Sequence, residues 1–165
     1  MTNMTVDDLI EHFELKKHLE SGMFVETYRS QKKIQIDGYE GERYLSSSAM
    51  FLLQKGEVSR FHRLKSDETW HFYEGSPVEI IEITKQGQLI RTILGQDYAM
   101  GETPVYQIKA NHWVAATTLG KFSFFGCSNS PGFDYRDLET TSFENLASLY
   151  PQHREVIKKF SYKRA

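Results

Sequence analysis

Between Leu45 and Cys127 the chain is cut into short apolar and aromatic runs by turn residues. Leu45 to Leu53, Val58 to Leu64, Glu68 to Tyr73, Val78 to Thr84, Gln88 to Leu94, Val105 to Ile108, His112 to Thr117 and Lys121 to Cys127 each have the length of a strand. Gly56, Lys65-Ser66-Asp67, Gly75-Ser76-Pro77 and Gly120 punctuate them, and Lys85-Gln86-Gly87 reads as a tight hairpin. Met23 to Ser30 adds an earlier strand, followed by a polar loop or hairpin tip over Gln31 to Arg43. Gly95 to Pro104 reads as a longer loop. Many short strands at this spacing predict an all-β sandwich or barrel. The 11 Phe, 9 Tyr and 2 Trp suit that reading, because aromatic side chains favour pleated surfaces.

Helices are expected at both ends. Thr5 has capping-box spacing to Asp8, and Leu9, Ile10, Phe13 and Leu15 give an apolar stripe, so a helix is predicted over Val6–His18. Thr141 and Glu144 repeat the spacing ahead of a helix to about Tyr150. Pro151 suits the first turn of a second helix towards Phe160. The 165 residues read as one domain, with the barrel over about 23–130 and helices over about 6–18 and 142–160.

Charge and cysteine content narrow the function. Lys and Arg total 20 against 22 Asp and Glu, which argues against a nucleic-acid or membrane-surface binder. No run of 18 apolar residues is present. The single cysteine, Cys127, excludes an intrachain disulfide and a Cys-x-x-Cys zinc knuckle. With acidic residues near the N-terminus in place of a basic leader, a cytoplasmic location is expected. The Asn3-Met4-Thr5 sequon then carries no meaning, and Lys158, Lys159, Lys163 and Arg164 read as a solvated helix end.

The densest polar cluster is Gly56 to Gly75. His62 and Glu68 lie six residues apart across a turn, so both side chains can face one interior. Trp70 and Phe72 share the face of Glu68 on a regular strand, whereas His71 and Tyr73 point the other way. Arg60, two residues before His62, offers a planar fork for a carboxylate or phosphate. Two readings stand: a ligand pocket with an imidazole, a carboxylate and an aromatic wall, or a hydrogen-bonded pair filling a core. Ser46 to Ser48 lacks the Gly-x-Ser-x-Gly context of a nucleophile. Cys127 has no activating neighbour, and no phosphate loop or dinucleotide fingerprint is present.

The spacing of Gly56, His62, Glu68 and Gly75 resembles the first motif of the cupin superfamily. The closer resemblance is to a branch of small single-domain cupins known as a domain of unknown function. It is carried by Glu26 to Ser30 (ETYRS), Tyr44 to Leu53 (YLSSSAMFLL), Ser59 to Leu64 (SRFHRL), Asp67 to Tyr73 (DETWHFY) and Cys127 to Glu139 (CSNSPGFDYRDLE). The resemblance implies a double-stranded β-helix, or jelly-roll barrel, with the ligand inside and a homodimeric assembly. The sequence departs from the usual cupin metal site. Leu64 stands where a second His is expected, and Val114 where a third is expected in Lys109 to Val114. Of three His and one Glu, only His62 and Glu68 remain, and a catalytic metal takes about three protein ligands. No metal cofactor is expected; a divalent ion, if bound, would rest on His62 and Glu68. His112 keeps strand parity with Val114 and is a further ligand-binding candidate.

The expected function is binding of a small polar or anionic molecule by Arg60, His62, Glu68, Trp70, Phe72 and His112. The alternative implied by the resemblance is a metal-independent isomerase or epimerase on a sugar-like substrate. His62 would then be the base, tuned by Glu68, and Tyr28 or Tyr73 the acid. A metal-dependent enzyme is disfavoured by the missing ligands.

Overall fold

The computed structural model describes residues 4–19 and 21–161, so Asn3, Lys163 and Arg164 lie outside the described residues. Thr5 caps the first helix as its spacing predicts. Its hydroxyl accepts from the Asp8 N–H, and the Asp8 carboxylate accepts the Thr5 N–H at 2.8 Å. This helix, α1 (Val6–His12), is shorter than the predicted Val6–His18. Glu14, at φ 54, leaves the helical path, and Lys16–Lys17 becomes a short strand, β1, paired with Phe24 and Met23. Strand pairing wins over the apolar stripe.

The remaining strands are β2 (Met23–Arg29), β3 (Lys33–Ile34), β4 (Arg43–Tyr44), β5 (Ser47–Gln54), β6 (Val58–Leu64), β7 (Glu68–Gly75), β8 (Val78–Ile83), β9 (Leu89–Leu94), β10 (Val105–Ile108), β11 (Trp113–Thr118), β12 (Phe122–Asn129) and β13 (Leu138–Thr140). They form one sheet in the order β1-β2-β5-β12-β7-β10 and a second in the order β13-β6-β11-β8-β9; β3 and β4 make a separate hairpin. All these strand pairs are antiparallel. The result is an all-β jelly-roll. β6 and β7 are consecutive in sequence yet belong to different sheets. The turn between the strands of His62 and Glu68 therefore crosses between the layers, and the two strands face each other through the interior.

Every residue of β8 is buried. Val78 and Ile80 join the inner core with Leu53, Trp70, Leu94 and Phe125. Ile81 and Ile83 face the other way, against Phe61, Trp113, Leu146 and Ile157. Leu146 and Ile157 come from α2 (Phe143–Leu149) and α3 (Arg154–Lys159), which cover the outside of the second sheet. α1 covers the first sheet, with Leu9 against Leu52 and Phe124. Burial on both faces explains why β8 reads as an unbroken apolar run. The cap of α2 is Ser142, which accepts from Asn145 N–H at 3.2 Å, one residue later than Thr141. A 3-10 turn, Pro151–His153, precedes α3 with proline in its first turn. Among the described residues no helix is long and apolar enough to cross a membrane.

Glu79 ties this layer together. From β8 it meets Arg91 of β9 at 2.8 Å and Lys159 of α3 at 3.1 Å. Burial pushes its carboxyl up, and the bonds to the two cations outweigh that, so its pKa lies below the ordinary value. A depressed folded pKa contributes stability above the unfolded value, and that stability is lost as pH falls through the folded one. Urea midpoints are expected to drop on acidification below about pH 5, and to drop less in Glu79→Gln. Equal acid sensitivity of the two proteins would contradict this role.

Candidate functional site

A cavity of about 320 Å³ opens between the sheets. The first sheet supplies its aromatic wall. Phe24 of β2 lies opposite Phe51 of β5, and Phe51 lies opposite Phe125 of β12. Cross-strand register thus sets the rings in a rank. Centroids are 5.9 Å apart for Phe24 and Phe51, 5.8 Å for Phe51 and Phe125, and 5.0 Å for Phe125 and Trp70, with ring planes within 24° of one another at each step. His18 closes the rank edge-on to Phe24 at 4.9 Å.

The polar end comes from facing strands. His62 Nδ1 lies 2.7 Å from the carbonyl oxygen of Arg60. A carbonyl only accepts, so Nδ1 carries the proton and donates, leaving Nε2 as the acceptor of the neutral ring. Glu68 Oε1 accepts from the Trp70 indole N–H, and Oε2 from the Asn129 amide at 3.0 Å. The Cys127 thiol lines the same cavity. Burial foremost, and then the neighbouring carboxylate, push that thiol well above its ordinary pKa. Cys127 is therefore a protonated packing group and not a nucleophile.

The rim is made by β2 and the segment after β12. Arg29 forks onto Glu26 at 2.7 and 2.8 Å and donates to the Phe133 carbonyl at 2.9 Å. Asp134 is held by Arg136 at 2.8 and 2.9 Å, which keeps its carboxyl far below the ordinary range. Tyr135 stands beside them on the cavity lining.

The structure brings His62, Glu68 and Trp70 to one cavity. The other sequence candidates lie elsewhere. The Arg60 side chain is not on the lining; its carbonyl orients His62. Phe72 packs against the inner core. His112 Nδ1 bonds Glu82 Oε1 at 2.9 Å, and the other oxygen of Glu82 accepts the Tyr106 hydroxyl, a buried cluster off the cavity. Burial and that bond push Tyr106 up to about 12. Tyr28 is 56% exposed. Tyr73 is half-exposed, packs on Phe124 at 5.5 Å, and has its phenol pushed up by burial. Neither tyrosine reaches the lining. Sequence reasoning about chemistry missed Glu26, Arg29, Ser48, Asn129, Asp134 and Tyr135, all of which line the cavity. Their signal lay in the ETYRS, YLSSSAMFLL and CSNSPGFDYRDLE runs, which carry no catalytic spacing of their own.

The residues do not fit a cupin metal site. Leu64 lines the cavity and Val114 is buried where the superfamily places imidazoles, and the Glu68 oxygens already accept from Trp70 and Asn129. Among the described residues no group of three His, Cys, Asp or Glu side chains is arranged to hold a metal ion.

The chain is similar in structure to a protein from Shewanella oneidensis, 38% identical, with 98% of this chain and 99% of that one covered and a TM-score of 0.89. It is also similar to a hypothetical protein from Leishmania major, 30% identical, with 96% and 99% covered and a TM-score of 0.90. Oxalate decarboxylase from Bacillus subtilis shares the fold alone, at 14% identity and a TM-score of 0.56, over 92% of this chain and 38% of that one. No curated protein matches the sequence. The family model described as Cupin superfamily (DUF985) matches residues 7–141. With that match and two near-full-length relatives of the same fold, the chain belongs to the cupin superfamily, in the DUF985 family.

Proposed function

We propose that the protein is a small-molecule-binding cupin that takes a small polar ligand into the cavity beside His62 and Glu68, without a catalytic metal. The observation that carries this reading is the cavity itself. An acceptor nitrogen and a carboxylate on facing strands share one hollow with a rank of four aromatic rings. Ligand sites combine an apolar wall with a few placed polar groups in this way. An anionic ligand has little to hold it, because Arg60 lies off the lining and Arg29 is forked onto Glu26. Isomerase chemistry is also less well supported. His62 is oriented by a backbone carbonyl where a strong base would have a carboxylate partner, and the expected tyrosines stand outside the cavity. Trp70, on the lining, provides a fluorescence signal for screening small polar compounds. His62→Ala is expected to weaken a screened ligand about tenfold by removing one hydrogen bond. Ligands that bind the variant as tightly as the parent would sink the reading.

The protein is further proposed to work as a homodimer in the cytoplasm. The exposed Tyr28 on β2 supports an interface at Met23 to Ser30, and the single free thiol of Cys127 suits a reducing compartment. Light scattering at micromolar concentration is expected to give twice the chain mass; a monomer would contradict it.

A further inference from the structure

Resting on the cavity reading above, we propose that this site selects a small organic cation, an amine carrying an apolar body, over an anion of the same shape. Among the described residues, three carboxylates and one guanidinium reach the lining: Glu26, Glu68, Asp134 and Arg29. At the rim the charges are matched. Arg29 is forked onto Glu26, and Asp134 is gripped by Arg136. Glu68, on β7, is held differently. The groups that hold it are the Trp70 indole and the Asn129 amide, and both are neutral. They satisfy hydrogen bonds without offsetting the negative charge.

A carboxylate offers about four acceptor sites, and these donors take two of them. The remaining sites are acceptors, and so is His62 Nε2 when Nδ1 holds the ring proton towards the Arg60 carbonyl. An ammonium group has donors and no acceptor, so it suits such a pair. A ligand carboxylate would instead meet a like charge and a lone pair between two sheets, where electrostatic repulsion is less screened than in bulk water. Phe51, Phe125 and Trp70 give the hollow a wall of rings, which suits a hydrocarbon or aromatic body.

The probes are benzylamine, benzyl alcohol and benzoate, which share a ring and differ in charge. Calorimetry on the full chain at about pH 8, above the ordinary histidine range, keeps the imidazole comparison simple. Benzylamine is expected to bind at least about tenfold more tightly than benzoate, with benzyl alcohol between them. Glu68→Gln is expected to abolish the preference for the amine over benzoate. Ala49→Phe, which places a ring in the cavity, is expected to block all three. Benzoate binding as tightly as benzylamine, or an undiminished amine preference in Glu68→Gln, would overturn the cation inference and leave the cavity reading standing. If no probe binds, or if the probes bind Ala49→Phe as well as the parent, both fall. The comparison on the parent protein decides the charge preference even where a variant fails to fold.

Discussion

Arg43→Ala is expected to lower the unfolding free energy by about 3–5 kcal/mol, a change that urea unfolding would show as a lower midpoint at an unchanged slope. The side chains of Arg43 and Asp137 are 2% and 5% exposed. Nε donates to Oδ2 at 2.8 Å and Nη2 to Oδ1 at 2.8 Å, a bidentate pair. Nη1 donates to the Glu40 carbonyl at 2.7 Å and the Glu42 carbonyl at 3.1 Å. Truncating the guanidinium leaves the Asp137 carboxylate buried without its fork, and a stranded buried charge costs more than a lost pair is worth. Arg43→Met with Asp137→Leu removes both charges together and is expected to recover most of the loss. A single-variant cost below about 1 kcal/mol would mean that the pair behaves as a solvated surface bridge. The pair also matters for the site. Arg43 lies in β4 and Asp137 directly precedes β13, so it ties the β3–β4 hairpin to the segment carrying Phe133, Asp134 and Tyr135 of the rim.

The middle of the fold was legible because its turns are punctuated. Val58 to Leu64 and Val105 to Ile108 are strands with the predicted ends, and each is bounded by turn residues. Elements defined by pairing were hidden. Leu138–Thr140 has no apolar run of its own and becomes β13 only by adding to the edge of β6. Lys33–Ile34 and Arg43–Tyr44 pair inside what reads as a polar loop. The site was legible to the extent that strand parity holds. Parity turns His62, Glu68 and Trp70 towards one interior, and all three line the cavity. It names a face and not a depth, so it could not separate Trp70 on the cavity from Phe72 against the core. Arg60 lies where the β6–β11 register shifts, between the pairs of Val114 with His62 and Ala116 with Ser59. His112 precedes β11, next to Asn111 at φ 64, so strand alternation does not govern it. The rim residues come from distant segments whose convergence depends on long-range pairing.

Phe125→Ala is expected to cost about 3–5 kcal/mol and also to change what the cavity accepts. Phe125 is 2% exposed and stands between Phe51 and Trp70 in the aromatic rank. Removing the ring takes away its buried area and its contacts with both neighbours, and the strands that hold those neighbours cannot close the gap. The void created adjoins the ligand cavity, so the hollow widens at its wall. Ligands of the parent should bind more weakly and bulkier ones should gain. Phe124→Ala separates the two effects. Phe124 is 4% exposed but faces the other side of the sheet, against Leu9, Leu15 and Leu52 under α1. Its removal is expected to cost a similar amount in urea unfolding and to leave ligand selection as in the parent. If both variants change ligand affinity alike, loss of general stability explains the effect and the rank is no part of the binding wall. If only Phe125→Ala does, one step along β12 divides residues that hold the barrel to its helix from residues that shape the cavity.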